Sequence, residues 1–382
     1  MSVARRSPVA PLLKATLGLA LVGWLLWLAA GDETLARLRE APPSPAWLGA
    51  SAAGVAAAIT LSWLRWRLVA EAARVTISVA EAIRLGAIGF ALNFVALGNV
   101  GGDVAKAALL AKGRPGLRGR AVSTVLVDRL MGLLGLLLLA SAAVLASGLA
   151  RSDTPAALRA LSRLTLAVTG VGVAAYASVF FPDRLWARGA FAARRVPVLG
   201  ALLRRAAEFV RLYRGGGRRL LGALALGLLA DAVFVGSFAA VAEATPLPTP
   251  GWGEHALIVP LAMIAGALPI SPSGLGTIEA TVELLYRQLA ADPATAAAGV
   301  GTIVALTHRL VMVVVGVAAA VWYSVSGTTG GSDAPGASDP RHAQPQADAS
   351  LTHSRCSAGE SAATIGSAAM AIRRGAGWRS GR

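Results

Sequence analysis

The chain alternates long apolar runs with short, arginine-bearing polar stretches. A membrane-crossing helix takes about 20 apolar residues. Six runs meet that length, at about 12–30, 47–68, 121–149, 160–181, 220–242 and 294–324. Two further apolar stretches, 80–112 and 254–290, are broken in the middle. In the second, Pro269, Pro272, Gly274 and Gly276 fall close together. Proline removes a backbone donor and clashes with the preceding turn, and glycine loosens what remains. Each half left over is about 15 residues, or about 22 Å of helix, too short to span alone. The pattern therefore predicts two half-helices that enter the membrane and turn back. One long helix with a proline kink is the alternative. In the first stretch, an apolar half at 85–97 meets Gly98, Gly101 and Gly102 before a second half at 104–111. Arg84 precedes this unit, and Lys112, Arg114, Arg118 and Arg120 follow it.

The fold class that follows is an all-α polytopic membrane protein. It has about six transmembrane helices and two oppositely oriented re-entrant helical hairpins. Residues 1–11 form a polar N-terminus and 12–325 the membrane domain. The run at 12–30 follows Arg5 and Arg6 as a signal peptide would, but it is long for a signal core. No clear small-residue cleavage site follows before Asp32 and Glu33, so it is read as a span. From 326 to 382 the composition turns to Gly, Ser, Ala, Asp, Pro and Arg, which predicts a disordered tail.

Composition agrees with the membrane reading. The chain is 55% hydrophobic but only 5% aromatic, so its apolar mass is Ala, Leu, Val and Gly. Small residues of that kind suit close helix packing in lipid. A formal net charge of +16 would suggest nucleic acid in a soluble protein. Here the basic residues lie between apolar runs, where the positive-inside rule accounts for them. They are concentrated at 1–14, 65–84, 112–120 and 183–219, the last with ten arginines against Asp183 and Glu208. These stretches and both termini are expected in the cytoplasm, and 31–46 and 243–253 outside. Trp63, Arg65, Trp66 and Arg67 read as an aromatic-plus-arginine belt at the interface. Cys356 is the single cysteine, and the four histidines show no ligand spacing, so no metal or cofactor is expected.

The chemistry lies in charges placed inside apolar runs. Each costs about 2.5–3.5 kcal/mol unless it finds a partner or a polar cavity. Asp103, Arg129, Asp231, Glu279 and Arg309 are the strongest cases. Four of them repeat one order: a glycine-rich break, an acid in the next half-helix, then an Arg in the following span. GGDVAK precedes TVLVDRL in the first half, and SGLGTIEA precedes ALTHRL in the second. Repetition on hairpins of opposite orientation is the mark of an inverted-topology repeat. Glu279 also suits position N3 of a helix capped at Gly276, and Asp103 a similar cap. Arg129 and Arg309 are equally read as members of structural ion pairs, and Asp128 and His308 as structural. Asp231 is a counter-ion for either Arg. Lys106 faces a lipid headgroup or snorkels. The turn residues Ser271, Ser273, Gly274 and Gly276 complete the candidate site, since half-helix N-termini attract anions.

These motifs resemble the flippase-like family that includes the transmembrane region of lysylphosphatidylglycerol synthases. The resemblance rests on Asn93 with GNVGGDVAK, on VDRL at 127–130, on LPISPSGLGTIEA at 268–280 and on HRL at 308–310. The chain departs from the family where a proline often precedes the first hairpin's glycines; here Leu97 and Asn99 flank Gly98. Nothing after 325 resembles the soluble aminoacyl-transfer domain, so synthase activity is not carried over. The resemblance implies a bacterial inner-membrane protein that moves or presents lipids. Its lipid would be an anionic phospholipid or a lipid-linked precursor. The rival class is a non-transporting partner of a lipid-modifying enzyme or glycosyltransferase. An intramembrane enzyme is the weakest reading, because no nucleophile–base pair or metal set is visible.

Overall fold

A computed structural model describes residues 40–95, 101–112, 114, 116–151, 155–181, 210–268, 271, 274–289 and 298–326. The described residues form helices, turns and bends, with no strand among them. The run at 12–30 and the tail after 326 lie outside the described residues.

Among the described residues, nine α-helices follow in chain order: α1 (Pro45–Ala72), α2 (Val79–Val95), α3 (Gly101–Ala111), α4 (Arg118–Ser147), α5 (Ala156–Ala177), α6 (Gly217–Ala244), α7 (Trp252–Ala267), α8 (Thr277–Leu289) and α9 (Val300–Ser326). Five have the length and apolar content to cross a membrane: α1, α4, α5, α6 and α9, with α5 and α6 extended by flanking turns. These match five of the six expected spans. The other four helices, of 17, 11, 16 and 13 residues, form two broken pairs where the sequence predicts them.

Helices α1 and α6 share the most extensive interface. Small residues permit it. A Cβ on Gly54 would lie 2.8 Å from Ser237 Cβ, so the two backbones approach closely only because residue 54 is glycine. Helix α4 packs on α6 and α7, and α5 packs on α4 through a buried Ser141–Thr169 hydroxyl contact of 2.7 Å.

Each broken pair folds back on itself. Glu81 at the start of α2 meets Arg114, just past α3, at 2.9 Å. His255 in the first turn of α7 accepts a hydrogen bond from Tyr286 near the end of α8, at 2.7 Å; its Nδ1 donates to the Gly251 carbonyl. So the outer ends of each pair lie together. The two pairs start from opposite ends of α1. The first is joined to the C-terminal end of α1, where Arg67 Nε donates to the Ile77 carbonyl at 3.1 Å. The second lies by its N-terminal end, where the rings of Trp47 and Trp252 are 6.2 Å apart.

The two ends of the bundle differ in charge. At the C-terminal end of α1, Arg67 and Arg219 both pair with Glu71, and Arg114 pairs with Glu81. At the other end stand Trp47, Trp252, Glu243 and Glu254, with Trp252 Nε1 donating to Glu243 at 3.1 Å.

Candidate functional site

The second broken pair forms its site at the turn. Gly274 and Gly276 take positive φ, 66° and 82°, which reverses the chain cheaply only for glycine. Gly266 at the end of α7 packs against Ile278 and the backbone of Gly274. Ser271 and Thr277 join hydroxyls across the turn at 2.6 Å. Helix α8 then starts as its sequence predicts. Gly276 accepts from the Ala280 N–H, and its own N–H donates to Glu279 Oε2 at 2.7 Å, the glutamate half of a capping box, since glycine has no side chain to return the bond. The other oxygen of Glu279 receives Arg309 Nε at 2.6 Å. Glu279 is therefore both the cap and the ion-pair partner. It is fully buried, and Arg309 is 24% exposed at its side chain. Arg309 also lies 3.5 Å from the Gly274 carbonyl.

The first broken pair repeats the arrangement. Asp103 sits in the first turn of α3 and receives Arg129 Nε at 2.5 Å. In both halves the acid lies one turn into the second short helix, and the Arg comes from a long helix that follows. The halves differ in burial, since Arg129 is 52% exposed. Acids and arginines separated by 26 and 30 residues thus meet as the repeated order of the sequence predicts.

Behind Asp103 lies a buried charge cluster that the sequence reading placed elsewhere. Arg65 is not at an interface belt. Its Nε pairs with Asp128 Oδ1 at 2.9 Å, with both side chains under a tenth exposed. Trp66 beside it is wholly buried and donates to Thr124 Oγ1. Lys106 neither snorkels nor faces outward. Its ammonium lies 4.0 Å from the centre of the Trp66 ring and 3.8 Å from Asp128 Oδ2. A cation over a desolvated indole is held by the ring quadrupole as well as by the acid. Asp231 joins this cluster, set beside Arg65 in adjoining glycine notches of α4 and α6. Glycines make the room. The Arg65 guanidinium fills the space a side chain would take at Gly132 and Gly227, and Asp231 Oδ2 fills that at Gly135.

The remaining expected residues divide simply. Ser271, Gly274 and Gly276 are at the second turn. Ser273 lies outside the described residues, and so does the Asn93 side chain, though residue 93 belongs to α2. His308 is buried between Phe234 and Phe238 and hydrogen-bonds Ser237 at 3.0 Å. Glu283 escaped the sequence reading. Its oxygens accept from the backbone N–H groups of Gly299 and Thr302, at 2.7 and 3.1 Å, and so cap α9. The signal for it is GVGT at 299–302: a Cβ on Gly301 would press on the Glu283 backbone.

No group of three or more His, Cys, Asp or Glu suited to a metal occurs among the described residues. The site's chemistry is instead that of paired guanidinium and carboxylate groups beside glycine-lined breaks. A guanidinium already held by a carboxylate can exchange that partner for phosphate oxygens of matching geometry.

No curated protein and no solved structure matches the chain. Residues 15–320 match the family described as the Lysylphosphatidylglycerol synthase TM region. That match covers the five spanning helices and both broken pairs, and the chain is a multi-pass membrane protein belonging to this family.

Proposed function

We propose that the protein is a lipid translocase, handling an anionic phospholipid or a lipid-linked precursor. One observation carries this reading: the Asp103–Arg129 and Glu279–Arg309 pairs stand in the same relation to two glycine-rich breaks of opposite orientation. Non-helical backbone at membrane depth is tolerated only inside protein or beside water. Broken helices near the midplane are where transporters place their binding sites. In this reading the two broken pairs are re-entrant hairpins of an inverted repeat. Arg129 and Arg309 take a lipid phosphate in exchange for their carboxylates. The half-helix starting at Gly276 adds favourable dipole charge. In this reading the base-rich end of the bundle faces the cytoplasm, and both termini lie on that side as the positive-inside rule supports.

The test is movement of fluorescent phosphatidylglycerol between leaflets of vesicles containing the purified full chain. The expected result is transfer well above protein-free vesicles, and faster transfer than for a zwitterionic analogue. Transfer no faster than in empty vesicles contradicts the proposal. It would favour the rival function, a scaffold for a lipid-modifying enzyme or glycosyltransferase.

A further inference from the structure

The buried cluster behind Asp103 contains one group that neither ion pair uses. Asp231 lies midway along α6, and its Oδ2 is buried with no hydrogen-bond partner among the described residues. That oxygen rests against Gly135 of α4, in a notch no other residue there would leave. One helical turn back along each of the two helices, at Gly132 of α4 and Gly227 of α6, Arg65 fills the matching notches. Beside Asp231 stands Arg65 of α1 in the adjoining notches, held by Asp128 of α4, with Lys106 of α3 on the other oxygen of Asp128. Farther along α6, α7 presents His255 against Phe238, and α9 presents His308 against Ser237.

The charge balance of this cluster depends on Asp231. Arg65 and Lys106 are two buried cations, and Asp128 is the acid that holds both. An ionised Asp231 makes the cluster neutral. A protonated Asp231 leaves it at +1. The two states have opposed costs. An ionised carboxylate oxygen without a donor is expensive in a dry interior, and an unbalanced buried cation is expensive as well. An arriving anion removes the second cost and leaves the first relieved. The cluster is linked to the outer site by position: Lys106 lies one turn after Asp103 on α3, and Asp128, which Lys106 pairs with, directly precedes Arg129, the partner of Asp103, on α4.

We propose that Asp231 is a proton-binding site whose occupancy is coupled to that of the anionic headgroup at Arg129, an inference that rests on the lipid-handling function above. The step is a proton transfer: a bond to hydrogen in hydronium or the buffer acid breaks, one to Asp231 Oδ2 forms, and water or the buffer base is left behind. The cluster gains one positive charge, and one phosphate charge then restores neutrality. Proton and anionic lipid therefore enter together, and by reciprocity each raises the affinity for the other.

The test is direct proton counting. Short-chain phosphatidylglycerol is added to the purified full chain in weakly buffered detergent containing a pH dye, and lipid binding is measured in parallel. The wild type should take up as much as about one proton per lipid bound. Asp231→Asn should bind lipid with no proton uptake, and Asp231→Glu should restore the uptake. The wild type gives an independent readout: its lipid affinity should weaken as pH rises, approaching about tenfold per pH unit at the steepest point. Lipid binding without proton uptake, affinity independent of pH, or full uptake in Asp231→Asn would each overturn the coupling while leaving lipid handling intact. Absence of any phosphatidylglycerol binding would overturn both.

Discussion

Arg309 reaches back 30 residues to hold Glu279 at 2.6 Å, and Glu279 in turn caps the helix that follows the Gly274–Gly276 turn. One carboxylate thus fixes both the start of α8 and the position of a guanidinium beside the break. The two roles separate by substitution. Gln at position 279 keeps a side-chain oxygen for the Gly276 N–H and loses the ion pair, whereas Ala loses both. Thermal unfolding in detergent should rank wild type above Glu279→Gln above Glu279→Ala. The last step should be about 1 kcal/mol, the usual size of a cap. Equal stability of the two variants would show that the cap contributes nothing.

The pairs in the first half should differ sharply in stability. Arg65 and Asp128 are both under a tenth exposed, whereas Arg129 is half exposed. Removing one partner of a buried pair costs about 3–5 kcal/mol, and a pair whose Arg opens onto a water-filled cavity, as the lipid-handling reading has it, contributes about 0–1 kcal/mol. Asp128→Asn should therefore lower the unfolding temperature far more than Arg129→Gln. The reverse order would mean that Arg65 is hydrated in the membrane-embedded protein.

How much of this was legible before the structure depends on the range of the signal. The broken pairs could be read locally, because proline and glycine act on their own backbone. The two outer ion pairs could be read from order alone, since an acid and an Arg in apolar runs need partners. Arg65 could not. Beside Trp63, Trp66 and Arg67 it has the composition of an interface belt, and only the packing of α1 on α4 and α6 shows which face carries it inward. The role of Glu283 was hidden differently. Its i,i+4 neighbour Arg287, with which it pairs at 2.8 Å, offers a partner within its own helix, and nothing local points to the N–H groups 16 and 19 residues ahead.

Glu283 should prove structural. Its oxygens satisfy the Gly299 and Thr302 N–H groups at the start of α9, at 2.7 and 3.1 Å. Glu283→Ala should destabilise by about 1–2 kcal/mol through loss of these bonds, whereas Arg287→Ala, which breaks only the i,i+4 pair, should cost about 0.5 kcal/mol or less. Chemical denaturation of both variants in detergent checks the contrast. Equal losses would place the effect in the ion pair and not in the cap.

The turn should tolerate no side chain at residue 274. Gly274 has φ 66°, and an added Cβ would lie 3.0 Å from Gly266 Cα and 2.9 Å from Ile278 Cδ1. Gly274→Ala meets both the conformational cost and the contact, so it should destabilise by about 1–3 kcal/mol. Gly49→Ala, where nothing lies within 4 Å, is the control and should be nearly neutral or slightly stabilising within α1. A Gly274→Ala protein as stable as the control would show that the α7–α8 turn can rearrange.

The central claim is that Arg129 and Arg309 handle a lipid headgroup and do more than balance their acids. The most direct measurement compares leaflet-to-leaflet movement of fluorescent phosphatidylglycerol by wild type, Arg309→Gln and the double variant Glu279→Gln with Arg309→Gln, with stability recorded for each. Arg309→Gln alone strands a buried Glu279 and should lose both stability and transport. The double variant removes the stranded charge, so its stability should return toward wild type while lipid movement stays at the level of empty vesicles. Recovery of both stability and lipid movement in the double variant would contradict the account and leave the pair a purely structural one.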